Sequence, residues 1–273
     1  MNKIFVAYKP TGLSSNQYLS RLKRKYNVKK AGYSGTLDPF AKGCLIIAFG
    51  NFTRFFRFLD KTPKVYRATL WLGAKSDTLD IEHVTNPKVL EPFKEEAILS
   101  ILEGLKGELE YEPPIFSAKR INGVRAYDLA RAGKKVELNK IHSTIYDIKL
   151  NHYCHPFVTF EATVSEGTYI RSLGKMIADK LGVDGALSAL ERLREGSFSY
   201  NNEIPISPLD ALNMKRIKFS GDMNDIWLGK KISLESLSIH DEGTYLLHNE
   251  KLAAVLEIKD KKVSYLLNKV DLC

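Results

Sequence analysis

Three cysteines, Cys44, Cys154 and Cys273, are all that the 273 residues contain. They are too few and too scattered for a disulfide framework, and an odd number leaves at least one thiol unpaired, so a reducing compartment is expected. Long apolar runs are also missing. The run Ile4 to Ala7 ends at Tyr8 and Lys9, well short of the roughly 7–15 residues of a signal segment. No uninterrupted stretch approaches the roughly 18 residues that span a bilayer. A cytoplasmic protein is expected, neither exported nor membrane-spanning. There is no G-x-G-x-x-G after a strand-like run and no P-loop, so nothing asks for a cofactor.

Acidic residues are scarce in one place. The chain carries 41 Lys plus Arg against 32 Asp plus Glu, a net charge of +9. Residues 1–64 hold 13 of the basic residues and only two acids, Asp38 and Asp60, so the excess is concentrated there. A second cluster sets Lys119, Arg120, Arg125, Arg131, Lys134, Lys135 and Lys140 against Asp128 and Glu137. Tyr8, Tyr18, Tyr26, Tyr33, Phe116 and Tyr127 are interleaved with the two clusters. That combination suits phosphate neutralisation with base stacking, and a nucleic acid is the expected partner; two solvated faces are the plain alternative.

At 44% hydrophobic and 27% charged residues, the composition is that of a globular protein, and the length suits one large domain with one small one. Lys3 to Tyr8 reads as a strand. From Ser14 or Ser15, Tyr18, Leu19, Leu22 and Tyr26 fall at helical spacing with Arg21, Lys23, Arg24 and Lys25 on the remaining circumference. Residues 32–43 read as a glycine-punctuated loop leading into a buried strand, Cys44 to Phe49. Strands are expected at Val65 to Leu72, Ser143 to Leu150 and Phe157 to Val164, and helices over Phe93 to Leu105 and Tyr169 to Leu181. Past the linker-like Ile204-Pro205-Ile206-Ser207-Pro208, the tail offers short strand-like runs at Gly243 to Leu247, Leu252 to Ile258 and Val263 to Leu267. The class is mixed α and β with a small β-rich appendage.

Asp38 is the only acid among the first 59 residues, against 11 Lys and Arg. Neighbouring positive charge is expected to lower its pKa and keep it ionised, available as a nucleophile. Asp followed by Pro39 is equally a good helix start, so capping and catalysis stay open on these grounds. His152, Cys154 and His155 suggest a metal only weakly, because adjacent residues of a strand point to opposite faces. Ser172-Leu173-Gly174-Lys175 matches an S-x-x-K pattern by four letters without companion motifs.

Gly35-Thr36-Leu37-Asp38-Pro39-Phe40-Ala41-Lys42-Gly43-Cys44-Leu45 resembles the catalytic motif of the TruB family of tRNA pseudouridine synthases. Further family-like segments follow in order. They are Lys9-Pro10-Thr11-Gly12-Leu13-Ser14, Lys64-Val65-Tyr66-Arg67-Ala68, Pro113 to Lys119, Gly123 to Tyr127, Gly167-Thr168-Tyr169-Ile170-Arg171-Ser172-Leu173 and Leu190-Glu191-Arg192-Leu193, together covering roughly residues 1–200.

The resemblance implies an α+β fold: a large, mainly antiparallel mixed sheet flanked by helices over residues 1–220, then a small β-rich PUA-like domain over 221–273. It implies isomerisation of uridine to pseudouridine at position 55 in the T loop of tRNA, on a flipped-out base. No metal, cofactor or obligate protein partner is implied, and a monomer is the default. Asp38 would be the nucleophile, attacking ribose C1′ or uracil C6, and Arg171 would pair with it. Tyr66 would stack on the base, and Tyr169 and Leu190 would line its pocket. Tyr33 stands where the family usually has His, and Tyr8 where it usually has Asp; Tyr33 can still stack on a base. A non-catalytic tRNA-binding or tRNA-folding module is the competing reading.

Overall fold

The computed structural model describes residues 1–116, 120–121, 124–125 and 138–272. Most of the second basic cluster, including Lys119, Arg131, Lys134 and Lys135, lies outside the described residues, as do Tyr127 and Cys273.

In chain order the strands are β1 Lys3–Lys9, β2 Ala31–Ser34, β3 Lys42–Phe49, β4 Lys64–Leu72, β5 Gly107–Tyr111, β6 Arg120–Ile121, β7 Val124–Arg125, β8 Ile141–Cys154, β9 Phe157–Val164, β10 Gly185–Glu195, β11 Phe198–Ser199, β12 Arg216–Ile217, β13 Gly243–His248, β14 Leu252–Lys259 and β15 Lys262–Asp271. The helices are α1 Ser15–Lys25, α2 Glu95–Glu103, α3 Ile170–Lys180, α4 Pro208–Ala211 and α5 Met223–Leu228, with 3-10 segments at Gly50–Phe58 and Leu234–Ser236. The large sheet runs β1-β3-β10-β4-β9-β8-β5, with β2 on β3 and β11 on β10. Among the described residues, only β3 and β10 pair in parallel within it. A second sheet runs β12-β13-β14-β15, and β6 and β7 form a hairpin pair. The fold is the mixed, mainly antiparallel α+β arrangement expected.

β3 is apolar at every position from Cys44 to Phe49 because both of its faces are covered. Leu45, Ile47 and Phe49 pack with Leu19 and Leu22 of α1. Cys44, Ile46 and Ala48 face Phe52, Phe55 and, from the second sheet, Leu246, Val255 and Val270. The C-terminal sheet thus buries one face against the strands that carry the catalytic-type motif. A separate core lies between β4, β9, β10 and the helices α2 and α3, with Leu70, Phe160, Leu173 and Ile177 at its centre.

Two sequence expectations change. Residues 32–34, expected as loop, belong to the strand β2, paired antiparallel with Ile46 to Phe49. The helix over Phe93 to Leu105 is shorter, Glu95–Glu103, with Gly104 at its C-cap. α1 begins at a full capping box: the Ser14 hydroxyl accepts from Gln17 N–H at 3.2 Å, and the Gln17 side chain accepts from Ser14 N–H at 2.9 Å.

Candidate active site

Asp38 sits where the large sheet divides. β3 pairs with β2 at Ile46 to Phe49 but with β10 at Lys42 and Gly43, and the segment from Gly35 to Ala41 connects β2 to β3 beside that change of partner. Gly43 has φ 114°, and a Cβ there would strike the Arg192 carbonyl, so only glycine lets β10 approach. Asp38 does not start a helix. Its carbonyl accepts from Ala41 N–H at 3.1 Å across Pro39 and Phe40, closing a turn, and Pro at the second position pre-sets that geometry. The capping reading of Asp38 is thereby overturned.

Four bonds from the Lys9 to Ser15 segment clamp the residues on either side of Asp38. The buried Ser15 hydroxyl accepts from Leu37 N–H at 2.9 Å and donates to Leu37 C=O at 3.1 Å. Gly12 N–H donates to Pro39 C=O at 2.8 Å. Lys9, with no exposed surface, spends its ammonium on Leu13 C=O at 2.6 Å, Pro10 C=O at 3.0 Å and Pro39 C=O at 3.5 Å. Burial lowers the Lys9 pKa to about 8, with Asp38 opposing and Arg192 adding to the fall.

Arg171, 5% exposed in the first turn of α3, meets this loop. Its Nε lies 3.0 Å from Asp38 Oδ2. Its Nη1 donates to Thr78 C=O at 2.7 Å and lies 3.4 Å from Asp80 Oδ2, and its Nη2 donates to Phe116 C=O at 2.9 Å. Asp80, itself buried, is fixed by the Thr78 hydroxyl at 2.6 Å and Glu82 N–H at 2.9 Å. The guanidinium fork is therefore locked in one orientation, presenting a single edge to Asp38. Nothing in the sequence distinguished Asp80 from the solvated acids Asp77 and Glu82 beside it, and its role was missed.

Asp38 keeps 36% of its side chain open to solvent. Its carboxyl is nevertheless held above the ordinary carboxylate range: burial raises it, Arg171 opposes, Asp80 raises it further and Lys9 opposes. This corrects the expectation of a lowered pKa, because desolvation outweighs the neighbouring positive charge.

The carboxylate opens onto a cavity of about 280 Å³ lined by Leu37, Lys64, Tyr66, Glu166, Gly167, Tyr169, Arg171, Leu190 and Arg192 among others. Five of the six expected site residues, Asp38, Tyr66, Tyr169, Arg171 and Leu190, meet at this cavity. The sixth, Tyr33, does not line it. It is half-buried on β2 and packs with the cluster of Phe5, Leu19 and Ile47. Tyr8 is likewise occupied elsewhere, its hydroxyl donating to Glu191 at 2.6 Å.

Beneath the cavity, Arg192 is buried and donates to Cys44 C=O at 2.9 Å and Gly35 C=O at 3.2 Å. Glu195, with no exposure, lies 3.3 Å from Arg192 and 3.2 Å from Lys64. No group of three His, Cys, Asp or Glu residues among the described residues is placed to hold a metal. His155 is engaged with Leu90 C=O at 2.7 Å and the Tyr153 hydroxyl at 3.1 Å.

The family model of the TruB family pseudouridylate synthase N-terminal domain matches residues 23–170. The chain is 58% identical over 272 residues to tRNA pseudouridine synthase B of Sulfurimonas denitrificans, covering 99% of this chain and all of that one. It is 50% identical to the protein of the same name from Campylobacter curvus, over the whole of both chains. Among solved structures, the Cbf5-Nop10-Gar1 complex contains a chain that superposes with a TM-score of 0.71 at 18% identity, covering 99% of this chain and 85% of the other, a likeness of fold. With its motif loop, locked arginine and cavity in place, the chain belongs to the TruB family of pseudouridylate synthases.

Proposed function

We propose that this protein isomerises uridine to pseudouridine at position 55 in the T loop of tRNA. The observation that carries the reading is the pair Asp38 and Arg171, 3.0 Å apart at the wall of a cavity that two tyrosines and Leu190 also line. The reaction breaks the bond between ribose C1′ and uracil N1 and forms one from C1′ to C5. The C5 proton leaves and N1 gains one, so no redox partner is required.

Asp38 is the nucleophile in either route, at C1′ or at C6. Arg171 holds it oriented, Tyr66 stacks on the uracil, and Tyr169 and Leu190 line the pocket. The target must leave its stack to reach Asp38. Tyr33 contacts RNA outside the cavity. Residues 1–220 form the catalytic domain and 221–273 a PUA-like one, with Arg216 and Ile217 contributing a short strand to the latter's sheet. The protein acts as a cytoplasmic monomer with no obligate protein partner.

Carbodiimide modification and primer extension on a tRNA transcript treated with the protein locate the product. A stop at position 55 is expected. Tight tRNA binding with no stop at any uridine would replace the enzyme by a binding module.

A further inference from the structure

Among the described residues, three cations line the Asp38 cavity: Arg171, Arg192 and Lys64. All three guanidinium nitrogens of Arg171 are engaged with fixed protein groups. Arg192 is consumed by two carbonyls and Glu195. Lys64 differs. It shares Glu195 with Arg192 and faces a second carboxylate, Glu166, at 3.6 Å; Lys61 approaches the same carboxylate at 3.7 Å.

Glu166 is 58% exposed and stands on the loop that forms the cavity rim. Both of its lysine contacts are longer than hydrogen bonds, so attraction between charges holds the carboxylate there. Such a pair in partial solvent is weak and readily exchanged. Lys61, Lys64 and Arg192 against Glu195 leave two positive charges in excess, of which Glu166 cancels one. A phosphodiester carries one negative charge, so it can replace Glu166 one for one.

We propose that Lys61 and Lys64 bind a backbone phosphate of the nucleotide entering the Asp38 cavity, and that Glu166 occupies this site until the phosphate displaces it. The inference rests on the RNA substrate proposed above. The lysines then serve affinity, and Glu166 lowers the affinity of the cavity mouth for polyanions.

The test is a double-mutant cycle of Glu166→Gln, at an exposed position, and Lys61→Gln, at a half-buried one, read as Kd for an unmodified tRNA transcript. It is made in an Asp38→Asn background so that no product forms. Glu166→Gln is expected to tighten binding by roughly two- to fivefold, the size of a partly exposed ion pair. Lys61→Gln is expected to weaken binding and to reduce the slope of log Kd against log salt by about one. In the double variant the gain from Glu166→Gln should shrink, because only Lys64 remains to take the phosphate in place of Glu166. An unchanged or weaker Kd for Glu166→Gln, or an equal gain with and without Lys61, overturns the inference. Turnover by the unsubstituted protein is measured alongside. Its absence would remove the parent reading, whereas turnover with a flat cycle removes the displacement alone.

Discussion

Arg171 and Asp38 meet at 3.0 Å through Nε, the one guanidinium nitrogen that no carbonyl claims. Thr78, Asp80 and Phe116 hold the other two, so the arginine is fixed before any substrate arrives. Arg171→Lys keeps the charge and loses the fork. We expect kcat to fall at least about tenfold with tRNA affinity little changed, since the carboxylate proposed to react loses its fixed partner. Single-turnover kinetics beside a binding isotherm check this.

Removing the charge altogether has a pH signature. Arg171 opposes the rise in the Asp38 pKa, so Arg171→Met raises it further. In the proposed reaction the carboxylate is the reacting form, so activity is lost as pH falls through its pKa. The acid limb of the pH–rate profile therefore moves to higher pH in Arg171→Met. Leaving Asp38 and Asp80 without their cation should also cost about 3–5 kcal/mol of stability, visible in a denaturant melt.

Asp38→Asn separates catalysis from folding. A carboxyl whose folded pKa lies above its unfolded value binds its proton more tightly when folded. Its contribution is therefore favourable at low pH and is lost as pH rises through the folded pKa. At neutral pH the ionised group costs stability, so Asp38→Asn should melt at or above the temperature of the unsubstituted protein while turnover disappears.

Ser15→Ala tests the clamp on the motif loop. The variant loses both bonds to Leu37 and leaves buried backbone groups unsatisfied, which costs about 1–3 kcal/mol. We expect a lower kcat with affinity for tRNA retained, measured by steady-state kinetics and a thermal melt.

Gly43→Ala should be the most damaging single methyl group in the motif. It places a Cβ against the Arg192 carbonyl at a φ of 114°, and the β3 to β10 pairing cannot survive it. A loss of more than about 3 kcal/mol, or failure to fold, is expected from circular dichroism.

Much of this was legible in the chain. The alternation of Phe157 to Val164, the helical spacing of Leu19 and Leu22, and the three tail strands each declare their structure because one face or both are buried. β10 was not legible. Gly185-Ala186-Leu187-Ser188-Ala189-Leu190-Glu191-Arg192-Leu193 is built largely from helix formers, and pairing with β4 overrides that preference. The Asp38 motif announced itself through the resemblance, but the sign of its pKa shift did not. Counting charges along the sequence registers the nearby lysines and misses both the burial and Asp80, which are long-range consequences of folding.

The most direct measurement is tritium release from a tRNA transcript labelled at C5 of uridine, comparing the unsubstituted protein with Asp38→Asn and with a transcript carrying cytidine at position 55. Release by the unsubstituted protein alone, abolished by either change, is the predicted result. Continued release by Asp38→Asn would contradict the assignment of Asp38 as the nucleophile.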